Sequence, residues 1–181
     1  MIITRSPLRI SIGGGGTDLS SYYKENEGFL ISAAIDKYVY VTITKPFKPG
    51  VYLKYSKIEN VNSIEEVDHP IIREGLKYFE KNNPQIEITT LADIPSGTGL
   101  GSSSSFTTAL VKGLSHYNKE ILHAEEIARL SCDIEINKLK EPIGKQDQYI
   151  AAYGGITSFT FCKNEDVKVE KLNISDDTMY D

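Results

Sequence analysis

The chain has 181 residues, 40% apolar and 25% charged, with a formal charge of −5 from 20 basic and 25 acidic side chains. That size predicts one domain, or one domain with a fragment of a second, and a core large enough to need no disulfide or metal staple. Scattered charge with an acidic excess predicts no nucleic-acid and no anionic-membrane partner, since both need a concentrated positive face.

In chain order, Leu8–Ile12 alternates around Arg9 and Ser11 and reads as a strand. Phe29–Ile35 is an apolar run, Lys37–Thr44 is rich in aromatic and β-branched residues, and Val51–Tyr55 alternates again after the Pro49-Gly50 turn. Asp68–Asn82 predicts a helix, with Ile71, Ile72, Leu76 and Phe79 on one stripe and Asn82-Asn83-Pro84 as its stop. Gln85–Leu91 is a further strand. Helices are predicted over Ser102–Tyr117, Ala124–Leu139 and Lys145–Ala152, then strands over Ile156–Phe161 and Val167–Leu172. Strands followed by a helical block predict an α+β fold, a two-layer mixed sheet packed with helices.

Cys132 and Cys162 form no CxxC pair and predict small core thiols in a reducing compartment. The N-terminus has no apolar signal region and no window reaches 18 apolar residues, so a cytoplasmic protein is expected. His69, His116 and His123 have no metal-ligand spacing, and Ser102–Ser105 lies in no GxSxG elbow, which disfavours zinc and serine-hydrolase chemistry.

The most informative stretch is Asp93-Ile94-Pro95-Ser96-Gly97-Thr98-Gly99-Leu100-Gly101-Ser102-Ser103-Ser104-Ser105, between a predicted strand and a predicted helix. Glycines at alternate positions let the backbone turn its N–H groups to one side and admit a ligand closely. The hydroxyl run starts the helix, where unpaired N–H groups and the dipole favour an anion. No lysine follows Gly101, so this is not the GxxxxGK[ST] loop, and neither GxGxxG nor alternating βαβ units support a dinucleotide fold.

The segment Pro95–Ser104 resembles the phosphate-loop motif P-x-G-x-G-L-G-S-S-[AS] of the galactokinase, homoserine kinase, mevalonate kinase and phosphomevalonate kinase superfamily. Pro7-Leu8-Arg9-Ile10 before Gly13-Gly14-Gly15-Gly16-Thr17-Asp18 is similar to the same family's opening P-x-R-[IV] strand and Gly-rich Thr-Asp segment. The resemblance covers roughly residues 4–161. It implies that Pro95, Gly97, Gly99, Leu100, Gly101, Ser102, Ser103 and Ser104 bind the phosphates of ATP.

Glu135 and Asp147 are the candidate acidic pair. The break at Pro142-Ile143-Gly144 lets them converge, whereas twelve residues of straight helix would span ~18 Å. Phosphoryl transfer needs a carboxylate for Mg²⁺ and another to accept or orient the nucleophile's proton. Gly144-Lys145-Gln146-Asp147-Gln148 resembles the galactokinase segment that carries the catalytic aspartate. That resemblance implies Asp147 as base or orienting carboxylate, and Glu135 with Ser103 as Mg²⁺ ligands. Lys145 is a candidate for offsetting charge near the γ-phosphate.

At the acceptor end, Asp18 beside Gly15, Gly16 and Thr17 suits hydrogen bonds to sugar hydroxyls, and Arg9 could reach a phosphate. Thr17 or Asp18 is equally suited to capping a helix through Tyr22-Tyr23. Four glycines replace the bulkier Gly-Glu-His of galactokinases. The segment looks most like sugar 1-kinases acting on D-glycero-D-manno-heptose 7-phosphate, and next most like fucokinases. The implied protein is a small-molecule sugar kinase using ATP and Mg²⁺ on a sugar phosphate. A non-catalytic nucleotide- or sugar-binding module is the alternative, and a homo-oligomer stays open. Residues 1–172 are expected to form the family's N-terminal domain, and 173–181 a tail or the start of a further domain. The chain alone is expected to fold but to be a poor kinase.

Overall fold

The computed structural model describes residues 1–79, 84–95 and 97–174. The predicted stop at Asn82-Asn83, Ser96 of the loop and residues 175–181 of the tail lie outside them. Seven strands form one mixed sheet. In chain order these are β1 (Ile2–Gly13), β2 (Gly28–Thr44), β3 (Gly50–Lys54), β4 (Ile58–Val61), β5 (Gln85–Ala92), β6 (Ile156–Phe161) and β7 (Val167–Lys171). The helices are α1 (Ser20–Asn26), α2 (Pro70–Phe79), α3 (Ser102–Tyr117), α4 (Ala124–Cys132) and α5 (Gln146–Tyr153), with a π-helical turn over Asp133–Lys138 after α4. This is the expected α+β class.

The strand order is β4-β3-β5-β2-β6-β7, with β1 also paired to β2. Among the described strands only β3 and β5 run parallel; the other pairs are antiparallel. β2 is one 17-residue strand where the sequence reads as two. It pairs with β6 at Gly28–Ala33 and with β5 at Val39–Thr44 along one edge, and with β1 at Ile31–Ala34 and Tyr38–Ile43 along the other. The register shift between Pro7↔Tyr38 and Arg9↔Ala34 absorbs Ile35-Asp36-Lys37 as a bulge. That polar step breaks the alternation without ending the strand.

One face of the sheet carries the helices. Val41, Ile43, Leu53, Ile86 and Ile88 meet Ile72, Leu76, Leu110 and Leu114 of α2 and α3 in the larger core, where Leu76→Ala would cost about 2–5 kcal/mol. A second cluster joins Leu30, Phe159 and Phe161 to Tyr23, Tyr149 and Ile150. Cys132 is buried within it, as expected of a core thiol. β4 was not expected because it buries little: Ile58 is 81% exposed. No described helix is long and apolar enough to cross a membrane.

The predicted helix Ala124–Leu139 changes character at Asp133. Its hydrogen bonds widen, with Leu139 N–H donating to the Ile134 carbonyl at 3.0 Å. This extra residue per turn lets consecutive Ile134 and Glu135 both face inward, one to the apolar core and the other to a polar pocket.

Candidate active site

The loop after β5 starts from a fixed anchor: Asp93 and Tyr38 exchange two hydrogen bonds, Tyr38 N–H to Asp93 Oδ2 at 2.8 Å and Asp93 N–H to the Tyr38 carbonyl at 3.0 Å. Gly97, Gly99 and Gly101 then adopt φ of +84°, +74° and +76°. Only glycine takes three such steps without strain, and a Cβ at Gly97 or Gly99 would meet none of the described residues within 4 Å. Gly101 is the N-cap of α3, and no side chain caps that helix. The N–H groups of Ser102, Ser103 and Ser104 therefore lack intrahelical acceptors, at the positive end of a 16-residue helix. Beside them opens a cavity of about 730 Å³, lined by Pro95, Gly97, Ser102 and Ser103 and walled by the rings of Tyr55, His69 and Phe106. His69 stands edge-on to Tyr55 at 4.8 Å and tilted to Phe106 at 5.2 Å. Burial holds its pKa below the ordinary histidine value, against the pull of Glu59, so the wall is neutral.

Arg9 joins this loop to the acidic end. Its Nε and Nη2 donate to Asp147 Oδ1 and Oδ2 at 2.6 and 2.8 Å, and its Nη1 donates to the Gly99 carbonyl at 2.6 Å. The Arg9 backbone N–H donates to the Leu100 carbonyl. A Cβ on Gly101 would lie 3.0 Å from Asp147 Oδ2, so this carboxylate rests against the last glycine of the loop.

Glu135 lies on the other side of the α3 N-terminus. Ser103 Oγ donates to its Oε1 at 2.9 Å, and Gln148 Nε2 to its Oε2 at 2.6 Å. The residue is 1% exposed. Burial pushes its pKa above the usual carboxylate value, although hydrogen bonds from Gln148, Ser104, Ser103 and Thr107 pull the other way. A buried carboxylate with neutral partners beside a serine hydroxyl suits a hard cation. The 2.9 Å between the two oxygens matches neighbouring ligands of an octahedral ion at about 2.0–2.1 Å. No group of three or more His, Cys, Asp or Glu among the described residues could hold a metal, so phosphate oxygens would have to complete the shell, as Mg²⁺ sites allow.

Asp18 is 7% exposed and does not cap α1, whose N-cap is Leu19. Its Oδ2 instead accepts the backbone N–H of Gln146, the first residue of α5, at 3.0 Å. A Cβ on Gly144 would fall on the Asp18 carboxylate, which explains glycine there. Thr17 Oγ1 sits 2.8 and 2.9 Å from the Gly14 and Phe29 carbonyls and so holds the glycine run, including Gly15 and Gly16, against β2.

The structure thus brings Arg9, Asp147, Glu135, Ser103 and the loop together, with Asp18 linked to them through α5. It does not bring Lys145 to the glycine loop. Lys145 Nζ donates to the Glu165 carbonyl at 2.8 Å and lies 4.8 Å over the Tyr23 ring, in a second cavity of about 510 Å³ that Asp18 also lines. Arg9, expected at a substrate phosphate, spends its fork on Asp147. Sequence reasoning missed Gln146, Gln148 and the Tyr55–His69–Phe106 wall. Amides on both sides of Asp147 were the available signal for the first two.

The family "GHMP kinases N terminal domain" matches residues 70–155. A D-glycero-alpha-D-manno-heptose 7-phosphate kinase of Campylobacter jejuni is 32% identical, covering 96% of this chain and 54% of that protein. A galactokinase of Thermosipho africanus is 29% identical over 82% of this chain and 42% of its own length. Among solved structures, a D-glycero-D-manno-heptose 1-phosphate kinase from Bacteriodes thetaiotaomicron superposes with a TM-score of 0.91 at 28% identity, over 97% of this chain and 61% of its own. The chain spans about half the length of the curated relatives it matches.

Proposed function

Because this chain carries a GHMP kinase N-terminal domain, we propose that it binds nucleotide and acceptor for a sugar kinase, transferring the γ-phosphoryl of ATP to the anomeric hydroxyl of a heptose 7-phosphate. The observation that carries the reading is the meeting of a phosphate loop and two carboxylates at one helix N-terminus. Arg9 ties Asp147 to the Gly99 carbonyl, and Ser103 ties Glu135 to the first turn of α3.

Each residue then has a task. The N–H groups after Gly101 and the glycines before it cradle the β- and γ-phosphates. The cavity walled by Tyr55, His69 and Phe106 takes the base, since neutral rings stack on it without desolvating a charge. Ser103 Oγ and Glu135 would hold Mg²⁺, whose chemistry is to offset charge on the phosphates. Each Asp147 oxygen accepts one N–H from Arg9, which leaves lone pairs for the acceptor's O–H. The acceptor oxygen bonds to the γ-phosphorus, its proton passes to Asp147, and the bond from that phosphorus to the bridging oxygen breaks to release ADP. Asp18 and the glycine run hold the sugar; the heptose kinases among the relatives favour a heptose phosphate over galactose. Positioning by this preformed frame supplies most of the rate.

The test is a coupled ADP-release assay with ATP, Mg²⁺ and a panel of heptose 7-phosphate, galactose, fucose and mevalonate. ADP release that requires the heptose phosphate supports the proposal. Release with another acceptor would move the substrate, and nucleotide binding with no turnover on any acceptor would reduce the chain to a binding module.

A further inference from the structure

We infer that Gln148 is a positioning residue for Glu135, an inference that rests on reading this site as one that takes a metal–nucleotide. Gln148 is fully buried on the first turn of α5, one residue beyond Asp147. Both hydrogens of its amide are engaged: Nε2 donates to Glu135 Oε2 at 2.6 Å and to Ser104 Oγ at 3.1 Å. Its Oε1 is buried with no partner among the described residues. A residue selected for packing alone would not leave an acceptor unpaired in the interior; a leucine or methionine fills the same space without that loss. Rotating the amide would offer Oε1 to the Ser104 hydroxyl, but it would also set oxygen against the Glu135 carboxylate and leave the N–H groups unpaired. The Glu135 charge therefore dictates the donor-first orientation.

The consequence is geometric. With Oε2 held by Gln148, the remaining oxygen of Glu135 is the one that faces Ser103 Oγ, on the first turn of α3. The same turn of α5 holds Asp147 at the Arg9 fork. One helix start thus sets both carboxylates: Asp147 directly, and Glu135 through the neighbouring amide. Groups that orient a metal ligand in this way typically change metal affinity about 10–100-fold when removed.

The experiment compares Gln148→Met, which keeps length but has no donor, and Gln148→Glu, which keeps shape, with the unmodified chain. Affinity for ATP is measured by calorimetry with Mn²⁺ and again in EDTA, and bound Mn²⁺ is counted by electron paramagnetic resonance. Circular dichroism checks folding. The expected result for Gln148→Met is an affinity for the Mn²⁺ complex at least tenfold weaker, with metal-free ATP binding changed less than twofold. Gln148→Glu should lose as much, because it faces Glu135 with a second carboxyl. A structural role would weaken both affinities alike. Equal losses, or none, in variants that fold overturn the inference. If Gln148→Met does not fold, Gln148→Glu carries the test, and an unchanged ratio of metal-bound to metal-free affinity in that folded variant also overturns it. If the unmodified chain binds no nucleotide, the reading of the site fails, and this inference with it.

Discussion

Arg9 and Asp147 are 138 positions apart in the chain and meet through two parallel hydrogen bonds of 2.6 and 2.8 Å. The same guanidinium reaches the Gly99 carbonyl at 2.6 Å, so one side chain holds the acidic helix start and the glycine loop in register. The pair is 16% and 24% exposed, partly shielded from water, and its fork fixes the plane of the carboxylate as a point charge could not.

Arg9→Lys should therefore lower turnover about 100-fold although it keeps the charge. Asp147→Asn should lose about 10²–10⁴-fold, as removal of a general base does, with ATP affinity within about twofold. Because the two act as a unit, the double variant should be no worse than Asp147→Asn alone. Steady-state kinetics on all three check this; additive losses would separate the residues.

Gly99→Val separates folding from binding. At φ +74° a side chain costs about 1–2 kcal/mol, but no atom of the described residues lies within 4 Å to clash with it. The variant should fold with a modestly lower melting temperature and lose ATP binding in calorimetry, since its side chain projects where the phosphates approach. Unchanged affinity in the folded variant would remove the loop from the site.

Gly144→Ala acts at the acceptor end. Its Cβ would displace the Asp18 carboxylate and break the bond to the Gln146 N–H. Overpacking of this kind costs about 1–3 kcal/mol. The acceptor KM should rise about tenfold or more, the loss expected when one charge-assisted hydrogen bond of ~1.5–3 kcal/mol goes, while the ATP KM stays put. A rise in both would mean that Asp18 supports the whole frame.

His69 links stability to pH. Its folded pKa is depressed by burial, whereas the unfolded chain protonates it near pH ~6.5. The unfolded state therefore binds the extra proton first, and stability falls as pH drops below about 6.5 towards the folded pKa. Phe at this position keeps contact with Tyr55 and Phe106 without the titration. Urea midpoints from pH 7.5 to 5 should fall more steeply in the parent chain than in His69→Phe; parallel profiles would contradict the assignment.

The glycine loop was legible because its signals are local: alternate glycines, then hydroxyls opening an apolar helix. The fold class followed from strand alternation and helical stripes for the same reason. What was not legible depends on distant partners. Arg9 reads as a free cation until β1 and α5 bring Asp147 beside it, and Lys145 reads as a neighbour of Asp147 until its stem turns to the Glu165 carbonyl. The π-helical turn was hidden because Ile127, Leu130 and Ile134 keep an ordinary helical stripe up to the widening. β2 read as two strands because a bulge and a strand end leave the same polar interruption at Asp36-Lys37.

The proposed acceptor of the phosphoryl group is the anomeric oxygen of a heptose phosphate. Phosphorus NMR of the chain with ATP, Mg²⁺ and D-glycero-D-manno-heptose 7-phosphate tests it most directly. A new sugar-phosphate resonance coupled to the anomeric proton should appear, growing in step with ADP and absent with Asp147→Asn. ADP appearing with inorganic phosphate alone, or a new phosphate on any other carbon, would contradict it.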